Sequence, residues 1–110
     1  MPERTVTLVL ALALALAGAG AAGAAEPDAA RRAELRHRLL QDCGSCHGLT
    51  LKGGLGPPLL AESLAGKDRD GLVVTVLEGR PGTPMPPWKV ELSEAEAAYL
   101  VDRLIRGELP

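Results

Sequence analysis

The chain contains no phenylalanine, and only one tryptophan (Trp88) and one tyrosine (Tyr99) among its 110 residues. Large aromatic side chains fill the centre of most small domains, so a conventional self-filled core is excluded here and something else must occupy that volume. Cysteine is scarce too: Cys43 and Cys46 are the only two. That excludes a framework of several disulfides and a zinc site made of four thiolates. No sign of charge dominates, since 12 Lys and Arg stand against 14 Asp and Glu. Such a balance excludes a nucleic-acid partner, whose phosphates call for a basic face.

One long apolar run is present. Residues 6 to 17 are Val, Leu and Ala, interrupted only by Thr7, and a Gly and Ala tract follows. The run has the length of a secretory h-region and falls short of the roughly 20 residues of a spanning helix. Ala22-Gly23-Ala24 offers a cleavage site after Ala24, and Ala25 a second. Residues 1–25 are therefore expected to be a secretory signal peptide and residues 26–110 the mature domain. The n-region is weak, because Glu3 offsets Arg4, and an uncleaved membrane anchor is the competing reading. Cleavage after Ala25 leaves 85 residues with 11 basic and 13 acidic side chains, which is little chain for a self-sufficient core.

The two cysteines belong to Cys43-Gly44-Ser45-Cys46-His47. Cys-x-x-Cys-His is the spacing of covalent haem c attachment: each thiol adds across one vinyl group of the porphyrin, and the histidine that follows turns under the ring to ligate iron. Two other chemistries use a Cys-x-x-Cys pair. A dithiol redox unit needs a βαβ pattern around it, and a zinc site needs two further Cys or His ligands. Neither pattern surrounds this motif. Haem also answers the shortage of aromatics, because it would fill the core. Its attachment outside the bacterial cytoplasm agrees with an export signal.

From Asp28 to Asp42 the pattern is helical, with Asp28 as N-cap and Leu35, Leu39 and Leu40 at helical spacing. His37 lies on this helix and reads as a surface side chain between Arg36 and Arg38. Residues 48 to 60 have turn chemistry and admit no long helix. Within them Gly56-Pro57-Pro58-Leu59 has two readings: an ordinary rigid turn, or a turn whose Pro57 carbonyl accepts a hydrogen bond from the second ring nitrogen of His47. A short helix is expected over Leu59 to Ala65, then a break at Gly66-Lys67-Asp68. Leu72, Val73, Val76 and Leu77 fall on one helical face over Asp70 to Glu78, although a buried strand would also fit the run. Gly79 suits the end of that helix.

Four prolines then stiffen Gly79 to Trp88, with Met85 at their centre. It is the only methionine of the mature chain and lies 38 residues beyond His47. A thioether is a weak iron ligand, and a stiff loop lowers the cost of ordering it; the competing reading is a core methionine in a turn. The last element is explicit: Ser93-Glu94-Ala95-Glu96 is a capping box, and the helix should run to Arg106 and stop at Gly107. Ala97, Leu100, Val101 and Leu104 form its apolar stripe.

Taken in order, the Cys-x-x-Cys-His motif after a first helix, the Gly-Pro-x-Leu loop, the Met in a Pro-rich loop and the capped final helix resemble class I cytochromes c. The resemblance implies an all-α fold in which the N- and C-terminal helices cross around one covalently bound haem. It implies Cys43 and Cys46 as attachment points, His47 and Met85 as axial iron ligands, and the Pro57 carbonyl as the acceptor for His47. Asp42 to Gly48, Gly53-Gly54-Leu55-Gly56-Pro57 and Gly79-Arg80-Pro81 running into Thr83 to Trp88 are similar to the small periplasmic cytochromes c of denitrification gene clusters, the NirC type. That family implies a monomeric one-electron carrier of the Gram-negative periplasm, not an enzyme, donating to a cytochrome cd type nitrite reductase. Alternatives are a role in haem d maturation, or a haem enzyme or ligand sensor with a labile Met85. Around the cysteine motif and the Met loop, Gly44, Ser45, Leu49, Leu55, Pro58, Thr83, Pro84 and Pro86 give a neutral docking patch with Lys52, Arg80 and Lys89 at its rim.

Overall fold

The computed structural model describes residues 26–109; the expected signal peptide lies outside them. Helix α1 spans Ala29–Arg38 and starts where the cap predicts, Asp28 Oδ1 accepting from the Arg31 amide at 2.8 Å. The helical path does not stop at Asp42. It passes through a π-helical turn, Leu39–Cys43, in which the Gly44 amide donates to the Leu39 carbonyl, and continues as α2, Gly44–His47. A π turn holds one residue more than an α turn, so everything after it is rotated about the axis by about 100° relative to an unbroken helix. The attachment motif thus straddles a change of helical register, a feature that hydrophobic spacing does not reveal.

After a loop, the one-turn α3 covers Ala61–Leu64 and α4 covers Arg69–Glu78. The run from Leu72 to Leu77 is helical, and no strand occurs among the described residues. Asp68, expected in the break, is the N-cap of α4, its Oδ2 accepting from the Gly71 amide at 2.7 Å. Only Val73 of α4 is fully buried; Leu72, Val76 and Leu77 are half-buried and Val74 faces outward. Helix α5, Glu94–Arg106, has the capping box in both directions and ends in left-handed Gly107.

Helix α5 is the centre of packing, in contact with α1, α3 and α4. Leu100 and Leu104 join Leu35, Leu39, Leu51, Leu64 and Leu92 in one cluster, and Ala97 and Val101 meet Val73 in a second. The buried core is aliphatic throughout, with Trp88 and Tyr99 only partly buried against its edge. Each leucine removed from water contributes about 1.5–3 kcal/mol, modest for a set this small. Two ion pairs join α5 to its neighbours: Arg31 of α1 with Glu96, and Arg69 of α4 with Asp102 at 2.7 Å. Among the described residues no helix is long and apolar enough to cross a membrane.

Candidate haem site

The site is assembled where α2 ends. A helix leaves its last carbonyls without intrahelical partners, and here the following loop folds back to supply them. The Gly53 amide donates to the His47 carbonyl at 2.8 Å and the Gly56 amide to the Cys46 carbonyl at 2.8 Å. The return begins at Gly48, whose φ of 90° only glycine adopts without strain, and a Cβ there would lie 2.6 Å from the Gly53 oxygen. It passes through Leu51, a non-glycine residue at φ 58°. That conformation costs roughly 1–2 kcal/mol. Leu51 is 1% exposed in the main core cluster, so burial offsets the strain.

This fold-back sets Pro57 beside His47, with 2.7 Å between the Pro57 oxygen and Nδ1. A carbonyl can only accept, so Nδ1 carries the hydrogen, and a neutral imidazole then keeps its lone pair on Nε2. Gly56 lies against the same ring: a Cβ built on it would sit 2.7 Å from His47 Cε1 and 2.8 Å from Nδ1. Sequence reasoning passed over Gly56, Leu51 and Gly48 as turn residues. The signal available for them was the density of glycine between His47 and Pro57.

Cys43 and Cys46 are half-buried free thiols three residues apart on the helical path, a spacing that puts them on one side. Cys43 packs against the main core cluster and lines a recess with Trp88, Leu92 and Leu100, Arg38 and Asp42 at its mouth. Burial, assisted by the neighbouring Asp42 carboxylate, pushes its thiol up to about 11, so it stands neutral in an apolar wall at ordinary pH. His37 is exposed on α1, as expected of a surface residue.

Met85 comes from a separate part of the chain, and main-chain bonds hold its loop. The Arg80 amide donates to the Met85 carbonyl at 3.2 Å, closing the loop across its neck, and the Thr83 amide and hydroxyl both donate to the Arg80 carbonyl, at 3.1 and 2.7 Å. Beyond Met85, the Trp88 and Lys89 amides donate to the Val76 and Leu77 carbonyls at 3.1 and 3.2 Å. The loop's exit therefore caps the C-terminal end of α4. Gly79, at φ 68°, is where the two segments touch: a Cβ would fall 2.6 Å from the Pro86 carbonyl carbon. The Met85 side chain is half-buried.

These donors fit haem c. Two free thiols on one side of a helix, an imidazole with Nε2 left available and a thioether on a braced loop are the groups that covalent attachment and two axial bonds require. The competing chemistries find no support. No βαβ unit flanks the cysteines among the described residues, and no three His, Cys, Asp or Glu side chains there converge as a bare metal ion would need. Of the residues expected to form a neutral docking patch, Ser45, Leu49, Leu55, Pro58, Thr83, Pro84 and Pro86 are exposed, whereas Gly44 is buried. A Cβ on Gly44 would touch Leu49 at 3.4 Å, so Gly44 belongs to the packing beneath Leu49.

A family model described as cytochrome C oxidase, cbb3-type, subunit III, matches residues 27–102. The chain is 69% identical over 83 residues to cytochrome c55X of Pseudomonas aeruginosa, covering 76% of this chain and 70% of that one. Among solved structures, c-type cytochrome NirC is similar with a TM-score of 0.75 at 67% identity, over 76% of this chain and 100% of that chain. Dihydro-heme d1 dehydrogenase NirN in complex with DHE is similar with a TM-score of 0.60 at 36% identity, over 67% of this chain and 16% of that chain. The chain belongs to the c-type cytochromes, in the family that includes cytochrome c55X and NirC: electron carriers of the class I fold with covalently bound haem c.

Proposed function

We propose that the chain is an exported monohaem carrier in which Cys43 and Cys46 hold haem c through thioethers and His47 and Met85 are its axial ligands. The observation that supports this best is the 2.7 Å separation of His47 Nδ1 from the Pro57 oxygen, which leaves Nε2 for iron on the helix that bears both thiols. Bound haem c supplies the one-electron Fe(II)/Fe(III) couple. Pro57 orients the His47 ring and raises the basicity of Nε2, while Gly56 leaves the ring room to lie flat against the loop. The braced Met85 loop offers a sulfur ligand, which favours the reduced state relative to a more basic ligand. With both axial positions supplied by the chain, no position remains for a substrate, and the role is carriage rather than turnover.

Residues 1–25 serve as the signal peptide in this reading, and the mature protein works as a monomer in the periplasm. The partner is a cytochrome cd type nitrite reductase, which receives the electron. A second reading, a redox role in haem d maturation, is favoured by the likeness to part of dihydro-heme d1 dehydrogenase. One experiment tests both. The reduced holoprotein is mixed with a cytochrome cd type nitrite reductase and with an unrelated oxidase, and the oxidised holoprotein with a haem d maturation dehydrogenase and its reduced substrate. Fast oxidation by the nitrite reductase alone supports the donor role and fast reduction by the dehydrogenase alone the maturation role; equal oxidation by reductase and oxidase with no reduction by the dehydrogenase would remove the pathway assignment.

A further inference from the structure

Where α1 meets α5, four side chains form a cluster that the haem site does not use. Arg32 and Arg36 stand one turn apart on α1, and Tyr99 and Arg103 one turn apart on α5. The phenol is at the centre. Arg32 Cζ and Arg103 Cζ each lie 5.9 Å from the ring centroid, and Arg36 Nη1 donates to the Tyr99 hydroxyl at 3.3 Å. An aromatic face offers a cation only the partial charge of its quadrupole, so the ring gathers three guanidiniums without neutralising them.

Several other surface cations are matched by acids. Arg31 pairs with Glu34 and Glu96, Arg38 with Glu91, Arg69 with Asp102 and Lys89 with Glu78. Among the described residues neither Arg32 nor Arg36 has a carboxylate partner, and Arg103 shares Glu108 with Arg106, at 3.4 and 3.7 Å. The Arg103 Nε is buried and, among those residues, has no acceptor. Three guanidiniums therefore gather on one side chain although the whole chain carries a formal net charge of −2. Guanidinium forks match the paired oxygens of an oxyanion better than they match chloride, because two parallel N–H bonds reach two oxygens at once.

We propose that Arg32, Arg36 and Arg103, gathered on Tyr99, bind a polyvalent oxyanion of the phosphate class, either free phosphate or a phospholipid headgroup. The test uses the reduced holoprotein. Inorganic phosphate is titrated against sodium chloride of matched ionic strength, following the arginine Nε–H resonances and the melting temperature. Phosphate at about ten times its dissociation constant should raise Tm by roughly 6–11 °C beyond chloride and shift the Arg32, Arg36 and Arg103 resonances together. In a double variant Arg32→Gln, Arg36→Gln the extra rise should vanish, while Lys67→Gln, a change at an exposed lysine outside the cluster, should retain it. A parallel arm measures cosedimentation with phosphatidylglycerol and phosphatidylcholine vesicles. Binding to the anionic vesicles that the double variant loses would assign the phosphate to a lipid, and a response to inorganic phosphate alone would assign a soluble anion. Equal effects of phosphate and chloride with no vesicle binding, or effects that survive the double variant, would overturn the proposal.

Discussion

The α-carbon of Gly56 lies so close to the His47 imidazole that a methyl group there would fall 2.7 Å from Cε1. Pro57, the next residue, accepts from that same ring at 2.7 Å. The pair of contacts fixes the ring from two directions, one steric and one polar. Gly56→Ala should therefore leave haem attached, since attachment depends on Cys43 and Cys46, but destabilise the ferric holoprotein by about 1–3 kcal/mol through overpacking. Guanidinium unfolding followed at the Soret band measures this. An unchanged midpoint would mean that the ring does not occupy this position in the holoprotein.

Met85→Ala should retain covalent haem, lower the reduction potential and admit carbon monoxide to the reduced iron. The loop bonds run through main-chain groups of Arg80, Met85, Trp88 and Lys89, so the loop itself should persist in the variant. Redox titration and the near-infrared sulfur-to-iron band provide the measurement. If potential and band match the parent protein, Met85 is not a ligand. Carbon monoxide binding to the unaltered protein would instead favour the sensor reading.

Gly79→Ala tests the bracing separately. The substitution places a side chain at φ 68° and against the Pro86 carbonyl, and the strain and the collision together should cost about 2–4 kcal/mol. The cost should appear first as partial loss of the sulfur-to-iron band at room temperature, before global unfolding. Simultaneous loss of band and helical circular dichroism would show that loop and fold are not separable.

Acid should loosen α5 from α1. The Arg31 guanidinium, through its hydrogen bond, holds the Glu96 carboxyl below the usual carboxylate range, aided by Ser93. A folded-state value below the unfolded one gives stability that is fully present above the unfolded value, about 4.3, and lost as pH falls through the folded value. Glu96→Gln should lower stability at pH 7 and flatten the acid limb of the stability profile. Denaturant midpoints between about pH 6 and pH 3 are the readout, and parallel curves for variant and parent would contradict the assignment.

Electron transfer to the partner should depend only modestly on ionic strength, because the exposed residues about the site, Leu49, Leu55, Pro58, Thr83, Pro84 and Pro86, are uncharged. Long-range steering needs a strong field, and a neutral patch with a few rim cations supplies little. Arg80→Glu and Lys89→Glu should each slow the reaction severalfold at low salt. Lys89 already faces Glu78 at 2.9 Å, so its reversal also sets two carboxylates together. Stopped-flow rates across a salt series decide the point, with indifference to both reversals moving the docking surface elsewhere.

Much of this protein is legible in one dimension because its signals are local. The Cys43 to His47 motif is contiguous, the Ser93 and Glu96 box spans four positions, and the apolar stripe of α5 repeats at the helical period, so each is set by neighbours along the chain. The shortage of aromatics pointed to haem as a filler of the core, whereas the placing of Trp88 and Tyr99 at the margin of the aliphatic cluster came from folding. What local pattern leaves open is anything settled by contact at a distance. The run at Leu72 to Leu77 could be helix or strand until Val73 met Ala97 and Val101 across the α4 and α5 interface. The π turn at Leu39–Cys43 changes register in a sequence that reads as plain helix, and no residue type marks it. The glycines after His47 looked like generic turn formers. Folding gives them separate duties, because Gly48 must pass the Gly53 oxygen and Gly56 the imidazole at distances a side chain would block. Composition supplied the parts of the site, while the return of the loop onto the open carbonyls of α2 decided which of them touch.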